Sequence, residues 1–357
     1  QGWSKSSFGS SDIYEVCNQN DICKIFDIAR KTNKVVSIRS AGNSYGDNTL
    51  NDNQIIIDIT KLNKILFFNK NDGIIRVQTG TNFFQILTLT VPHLYMPYVM
   101  PGSGQITVGG SLSNNIHGKN CYKEGFFSEY IISFKIILSD CRILKCSREE
   151  NKEIFFAAIY GFGLLGVVIE IEMRLKKITS FNLTTTKIKK NNFEKLIEYS
   201  LSVTKESDYL ISSLNFLNIG PSAGSGIISH SKFQENNSKE YKLEKIPLFL
   251  FKVLPFDMIP FFTKKIFKHK NLSINLLELA ANIKFNLNSK NKKVSSSTIS
   301  RFHFPNNYLF PNYNFIYPYG FYEYQPFIPH ENIIYFFDKF LYLCNKYNFR
   351  SFLTSLK

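Results

Sequence analysis

Arg39-Ser40-Ala41-Gly42-Asn43-Ser44-Tyr45-Gly46-Asp47 follows directly on Lys34–Arg39 (KVVSIR), a short run of alternating apolar residues that reads as a strand. A strand that runs into a turn of small residues, with glycines at 42 and 46, can turn successive backbone N–H groups into one concavity. Such a nest binds anions, and small side chains let a phosphate approach the main chain closely. Taken alone, the same residues also describe an ordinary tight loop.

A second segment has the same character. Pro101-Gly102-Ser103-Gly104-Gln105-Ile106-Thr107-Val108-Gly109-Gly110 continues through Ser113 to Asn115-Ile116-His117-Gly118-Lys119-Asn120. Four glycines and several hydroxyls again expose backbone donors. His117 stands among small polar residues rather than on an apolar face, which points to a working histidine. A third segment, Gly161-Phe162-Gly163-Leu164-Leu165-Gly166, matches G-x-G-x-x-G. A dinucleotide fingerprint needs a strand before that motif and a helix after it. Here the pattern predicts a helix before (Glu149–Tyr160) and a strand after (Val167–Leu175), so the order is reversed and an NAD-binding reading is disfavoured.

Outward from these loops, the first half alternates helix and strand. Helices are predicted over Asp21–Lys31, capped by Asn20 or Asp21, and over Asn82–Leu89. Further strands are predicted at Ile55–Thr60, Ile74–Thr79 and Ile131–Leu138. The fold class is α+β, with a first domain over residues 1–178 and a second over 179–357. After Lys176 glycines become rare and aromatics dense. Gln234–Lys245 and Asn286–Ser300 read as surface loops. Ile333, Phe337, Phe340, Leu341 and Cys344 share one face of a helix over Glu331–Tyr347. The second domain is therefore expected to be a sheet with helices on one side.

The chain has 357 residues, 44% of them hydrophobic, which suits two globular domains. The apolar stretch Ile246–Phe262 contains Lys252, Asp257 and three prolines and is too broken to span a bilayer. The net charge of +15 comes from scattered lysines such as Lys64, Lys70, Lys123, Lys189 and Lys190. It favours an anionic partner, a phosphorylated substrate or an anionic membrane face. No nucleic-acid-binding motif accompanies the charge, so nucleic acid is not an expected partner. The six cysteines include no C-x-x-C pair, so no metal site is expected, and they read as free thiols of a reducing, cytoplasmic compartment.

Together these segments resemble the FAD-linked oxidases of the vanillyl-alcohol oxidase and p-cresol methylhydroxylase superfamily. Arg39–Gly46 is similar to the loop that cradles the pyrophosphate there, and Pro101–Gly118 to the segment that holds the rest of the flavin. Gly163–Val168 is similar to the glycine turn leading into a flavin-contacting strand. Within the superfamily the likeness is strongest to the decaprenylphosphoryl-β-D-ribose oxidases. It is carried by Gly2-Trp3, Ser44–Asn48, Asp58–Asn63, Gln105–Gly110, Ile116–Asn120, Gly320-Phe321 with Tyr324-Gln325, and Ser351-Phe352-Leu353 with Lys357.

The resemblance implies a two-subdomain FAD-binding domain of the p-cresol methylhydroxylase type followed by a substrate (cap) domain that lacks its C-terminal part. It also implies FAD contacts from Arg39, Ser40, Ala41, Gly42, Asn43, Ser44, Tyr45, Gly102, Ser103, Thr107, Gly109, Gly110, Ser113, His117 and Val168. His117, Lys119 and Lys357 are the catalytic expectation, and Tyr45, His303, Gln325 and Lys357 the substrate expectation. Many superfamily members attach the flavin to a histidine where this chain has Asn43, so the implied FAD is non-covalent. His303 and Asn215 stand where the ribose oxidases have tyrosine and tryptophan.

The implied reaction is oxidation of a secondary hydroxyl on a sugar, in particular a polyprenyl-phosphate-linked pentose. A separate NADH-dependent reductase and peripheral contact with a membrane are implied as partners. An aldonolactone or alditol oxidase is the enzymatic alternative, and a flavin-less binding protein of polysaccharide synthesis the non-enzymatic one.

Overall fold

A computed structural model describes residues 1–216, 223–235, 292–305 and 320–357. The expected stretches at 246–262 and 236–245, and residues 286–291, lie outside the described residues.

The first element pair explains the start of the fold. Strand β1 (Asp12–Glu15) runs into helix α1 (Gln19–Thr32), which begins at Asn18. The Asn18 side chain accepts from the backbone of Asn20 and Asp21, while Asp21 reaches back to the backbone of Asn18. The cap is thus Asn18, two to three residues ahead of the sequence expectation, because Asp21 is the third residue of a capping box rather than the cap. Helix α1 closes on Asn33, left-handed at φ 52°. Strands β2 (Val36–Arg39) and β3 (Ile55–Asp58) then complete a parallel sheet in the order β1-β3-β2, which leaves β2 on an edge.

A larger antiparallel sheet follows. Its strands are β4 (Ile65–Asn69), β5 (Ile74–Gln78), β9 (Val167–Lys177), β7 (Ile131–Ile137) and β8 (Ile143–Ser147) in that order, with β6 (Tyr95–Pro97) pairing the far end of β9. The alternation in β9 buries Ile169, Ile171, Met173 and Leu175 and turns Glu170 and Glu172 the other way. There Lys135 and Arg76, their register partners, meet them at 3.0 and 3.6 Å. Ile137, Val167 and Ile169 of this sheet share one buried cluster with Ile22, Ile25 and Phe26 of α1 and Ile55 and Ile57 of β3. Two sheets closing on one core give the expected two-subdomain α+β architecture.

Helices α2 (Phe83–Thr90), α3 (Val108–Ser113), α4 (Cys121–Glu124) and α5 (Lys152–Ala158) join these strands. Helix α2 is capped by a reciprocal pair, Asn82 and Gln85, each 3.0 Å from the other's backbone nitrogen. Helix α5 precedes the Gly161–Gly166 turn and β9 follows it, the reversed order that the sequence indicates.

The chain divides into two compact units, and the second begins at Asn182 rather than at 179. It does not keep everything after that point. Helix α7 (Ile299–His303) belongs to the first unit, where Ile299 donates to the Phe181 carbonyl and Phe304 packs edge-on against Phe84 at 5.0 Å. Gly320 and Phe321 return to the first unit as well, with the Phe321 amide 3.1 Å from the Ser4 carbonyl.

The second unit contains an antiparallel sheet in the order β13-β10-β12-β11-β14: Lys292–Thr298, Asn182–Lys190, Gly226–Phe233, Tyr209–Phe216 and Ser351–Leu356. Residues 292–298, expected as a loop, form strand β13, because their serines, threonine and valine pair residue by residue with β10. Helices α6 (Phe193–Ser202) and α8 (Ile333–Lys346) meet where Phe193 stacks on Phe337 at 3.8 Å. Phe216 of β11 touches Phe337 and Phe340 at 5.6 and 5.3 Å, which places the apolar face of α8 on the sheet.

Candidate functional site

The two glycine loops of the first unit meet. Ser40, just past the end of β2, shares a 2.5 Å hydroxyl–hydroxyl hydrogen bond with Thr107. Thr107 is also the N-cap of α3 and accepts from the Gly110 backbone at 3.3 Å. One threonine therefore fixes the second loop and ties it to the first. Their other glycines have two jobs. A methyl group on Gly109 would lie 1.8 Å from Thr79 Oγ1, and one on Gly104 would lie 2.7 Å from the Phe84 ring, so these positions are glycine because protein fills the space. On Gly46 (φ +73°) and Gly102 a methyl group would meet nothing within 4 Å, and on Gly110 only Thr107. Their backbone faces open space that a ligand can enter.

The first loop is held from behind. Trp3 donates its amide to the Ser44 carbonyl at 3.3 Å, and Ser4 Oγ accepts from the Gly46 amide at 3.3 Å. Trp3, Tyr45 and Phe321 form a three-ring cluster with centroids 5.3 to 5.9 Å apart. Tyr45 keeps an exposed edge, and Ala41 is exposed. A methyl group on Gly42 (φ +65°) would lie 2.6 Å from the Arg39 guanidinium, so Arg39 lies under the loop. Val168 is buried at the start of β9. Nearby, a cleft of about 500 Å³ runs between β2 and the Gly163–Gly166 turn, with Arg30 and Ser139 at one side.

The His117–Asn120 run is tied down residue by residue. His117 bridges Phe126 in a single β-type pair. Gly118 faces the Met100 backbone, where a methyl group would come within 3.2 Å. Asn120 is fully buried and donates to the Tyr98 carbonyl at 2.8 Å. The Lys119 ammonium donates to the Phe302 carbonyl and lies 4.4 Å from the centre of the Phe302 ring.

His303, expected to touch substrate, is instead 1% exposed inside the first unit. Burial, then the charges of Lys119 and Lys176, hold its imidazole well below the ordinary histidine value, so it is neutral. Lys176 pairs with Glu124 at 2.8 Å, and Tyr130 donates to the same carboxylate at 2.7 Å while stacking on Tyr98. Burial alone would raise the Glu124 carboxyl, but hydrogen bonds from Lys176 and Tyr130 keep it below the usual range. Burial and then Glu124 push the Tyr130 phenol upward. Glu124, Tyr130 and Lys176 were not foreseen. Lys176 shares the polar face of β9 with ion-paired Glu170 and Glu172 and reads as a surface lysine.

Gln325 and Lys357 belong to the second unit, where both are exposed. Among the described residues no group of His, Cys, Asp and Glu could hold a metal ion. No described helix is long and apolar enough to cross a membrane.

Residues 13–147 match the FAD binding domain family. The matched region contains both glycine loops and the Ser40–Thr107 bond. The first unit carries an FAD-binding domain. Decaprenylphosphoryl-beta-D-ribose oxidase of Mycolicibacterium smegmatis is 25% identical over 252 residues, covering 69% of this chain and 54% of that one. L-gulonolactone oxidase of Mus musculus is 23% identical over 210 residues, 58% of this chain and 47% of that one. Delta(24)-sterol reductase of Pisum sativum is 31% identical over 133 residues, 37% of this chain and 23% of that one. The chain spans about half the length of the first two relatives. These matches bear out the resemblance to the FAD-linked oxidases. The FAD-binding domain fits its cofactor on structural grounds too, since Gly46, Gly102 and Gly110 leave main chain open where phosphates and a flavin need close approach.

Proposed function

We propose that this chain is the flavin-binding part of an oxidoreductase acting on CH–OH groups, and that its substrate is the secondary hydroxyl of a polyprenyl-phosphate-linked pentose. Support comes from the glycine cradle closed by Ser40 and Thr107, with Asn43 in the loop, together with the extent of the match to the ribose oxidase. The aldonolactone reading is supported by the likeness to L-gulonolactone oxidase and to D-arabinono-1,4-lactone oxidase of Candida glabrata. Asn43 favours the first reading, because a carboxamide does not form the flavin bond that a histidine makes.

FAD, when bound, supplies an acceptor for two electrons and the hydrogen leaving the substrate carbon. The chain's own residues hold and orient. Arg39, Ser40 and Thr107 set the two loops, and backbone N–H groups of Gly42–Ser44 are offered to phosphate oxygens, while the Gly109 and Gly110 amides hold the second loop by donating to the Thr79 carbonyl and to Thr107. Asn43, Ser44, Ser103 and Ser113 add short polar side chains, and Val168 a close-packed wall. Lys119, held by the Phe302 carbonyl and ring, draws the substrate's oxygen or phosphate, and His117 takes the hydroxyl proton. Tyr45 presents its exposed edge to substrate. The roles of Gln325 and Lys357 toward substrate rest on the resemblance. His303 stays neutral beside the positive charges of Lys119 and Lys176 and adds none of its own. A separate NADH-dependent reductase as partner, and a cytoplasmic position at the membrane face, belong to this proposal.

Anaerobic mixing of the FAD-loaded chain with a polyprenyl-phosphate pentose tests the assignment. Bleaching of the flavin absorbance with that substrate, and none with an aldonolactone, is the expected outcome. Bleaching by the lactone alone would move the assignment to the aldonolactone oxidases.

A further inference from the structure

The two faces of the second unit's sheet differ in kind. One packs on α6: Ser212 Oγ meets Ser200 Oγ at 3.3 Å, and the Tyr199 ring lies 4.6 Å from the Lys190 ammonium and 6.2 Å from the His230 ring. Strand residues alternate between faces, so Lys187, Lys189 and Ser229 point away from α6. Their register partners point the same way. Lys187 is flanked by Lys293 of β13 and Ser229 of β12, and Ser295 stands opposite Thr185 one row along. Lys187, Lys293 and Ser295 are exposed. The row of Lys189 runs through Ile227 and Ser213 to Ser355 of β14. Lys357, exposed and two residues beyond Ser355, continues the same alternation.

The charge on this second face is one-sided. None of the five strands contains an aspartate or a glutamate. Lys232, on the helix side, pairs with Glu206 at 3.3 Å, whereas neither Lys187 nor Lys293 has an ion pair among the described residues. Lys187 and Lys293 stand directly opposite each other, and like charges so placed repel. An anion between them removes that cost. Lysine on an edge strand also deters the addition of another strand, which accounts for β13 but not for Lys187 and Lys189 on the inner strand β10.

We propose that this lysine and serine face of the second unit's sheet binds the phosphate group of the substrate. That role rests on the polyprenyl-phosphate reading and deepens it by naming the residues that hold the phosphate. Lys187 and Lys293 supply paired positive charge and Lys189 a third, since an ammonium binds phosphate as a point charge. The Ser229 and Ser295 hydroxyls donate to the remaining oxygens. Lys357, expected to meet substrate, lies on the same face. The strand residues of this face include no exposed aromatic or large apolar side chain, which insertion into a membrane or stacking on bases would require.

Calorimetric titration of the FAD-loaded chain with a farnesylphosphoryl pentose, and with a farnesyl pentoside that lacks the phosphate, tests the site. Lys187→Gln and Lys293→Gln should each weaken binding of the phosphate-bearing ligand about tenfold and leave the other ligand unchanged. Lys292→Gln, on the same edge strand but the opposite face, should change neither. Without ligand, Lys293→Gln should melt no lower than the unsubstituted chain, because it removes a repulsion. An equal loss in Lys292→Gln would reduce the effect to net charge and overturn the proposal, as would unchanged binding in Lys187→Gln and Lys293→Gln. Loss of binding to phosphatidylglycerol vesicles in those two variants, with the phosphorylated pentose still bound, would overturn it in favour of a membrane contact. Flavin bleaching is read separately. Bleaching by the farnesylphosphoryl pentose with equal affinity in every variant sinks the phosphate face and keeps the substrate reading. Bleaching by an aldonolactone alone, with inorganic phosphate binding still weakened in Lys187→Gln, sinks the substrate reading and keeps the phosphate site.

Discussion

Two glycine-rich segments of the first unit look alike in sequence and do different work. Gly161–Gly166 has the regular spacing of a nucleotide motif, yet each glycine in it faces protein. A methyl group would lie 2.4 Å from the Ala157 carbonyl at Gly161, 3.0 Å from Ile38 at Gly163 and 2.3 Å from the Ile137 carbonyl at Gly166. Pro101–Gly110 has no such spacing, but Gly102 and Gly110 border open space. The regular spacing therefore marks a turn whose glycines are packed on protein, while the less regular segment leaves open space at Gly102 and Gly110. What separates them is the environment that each glycine's missing side chain would enter.

The sharpest way to break this comparison is Gly166→Ala. Its φ of +156° and the Ile137 carbonyl make alanine strained and crowded, so urea unfolding should show a loss of about 3 kcal/mol. A loss below about 1 kcal/mol would mean that the turn is not packed as described. Thr107→Val comes next, since it removes both the cap of α3 and the link to Ser40. It should cost about 1–2 kcal/mol in the same assay and weaken FAD binding as well.

Gly102→Ala should do the opposite. Stability stays within about 0.5 kcal/mol, while FAD titration shows affinity about tenfold weaker, roughly 1.4 kcal/mol. Unchanged affinity would remove Gly102 from the cradle.

The smallest effect comes from outside both segments. His303 is neutral in the fold and its folded pKa lies well below 6.5, so the unfolded chain binds the extra proton. Stability contributed by the neutral imidazole is present above pH ~6.5 and is lost progressively as the pH falls below that value. His303→Gln should flatten this slope in melting curves from pH 7 to 5. Glu124 acts lower, losing its contribution only as the pH falls through its depressed folded value.

The parts of this architecture legible in sequence were those in which one residue pattern has one use. The alternation of β9, the apolar face of α8 and the strand-to-loop transition at Arg39 all read directly. Helix α3 did not, because Val108-Gly109-Gly110-Ser111 has low helix propensity and is held by the Thr107 cap and the packing at Thr79. Strand β13 was hidden because its lysines, serines and threonine look like a loop until β10 pairs with them. In the candidate site, the glycine loops and the His117–Asn120 run were visible as local motifs. The Glu124–Tyr130–Lys176 cluster was not, since it joins residues 52 positions apart that are each ordinary alone. The burial of His303 near Lys119 was not legible either, because it depends on the return of α7 to the first unit.

Everything proposed for this chain depends on a non-covalent FAD held by the loops that Ser40 and Thr107 join. An absorbance spectrum of the purified chain reconstituted with FAD, taken before and after acid precipitation, tests it most directly. Flavin bands should appear on the chain and pass wholly into the supernatant on acidification. Flavin that stays in the pellet would contradict the reading of Asn43, and a chain that takes up no flavin would contradict the cradle itself.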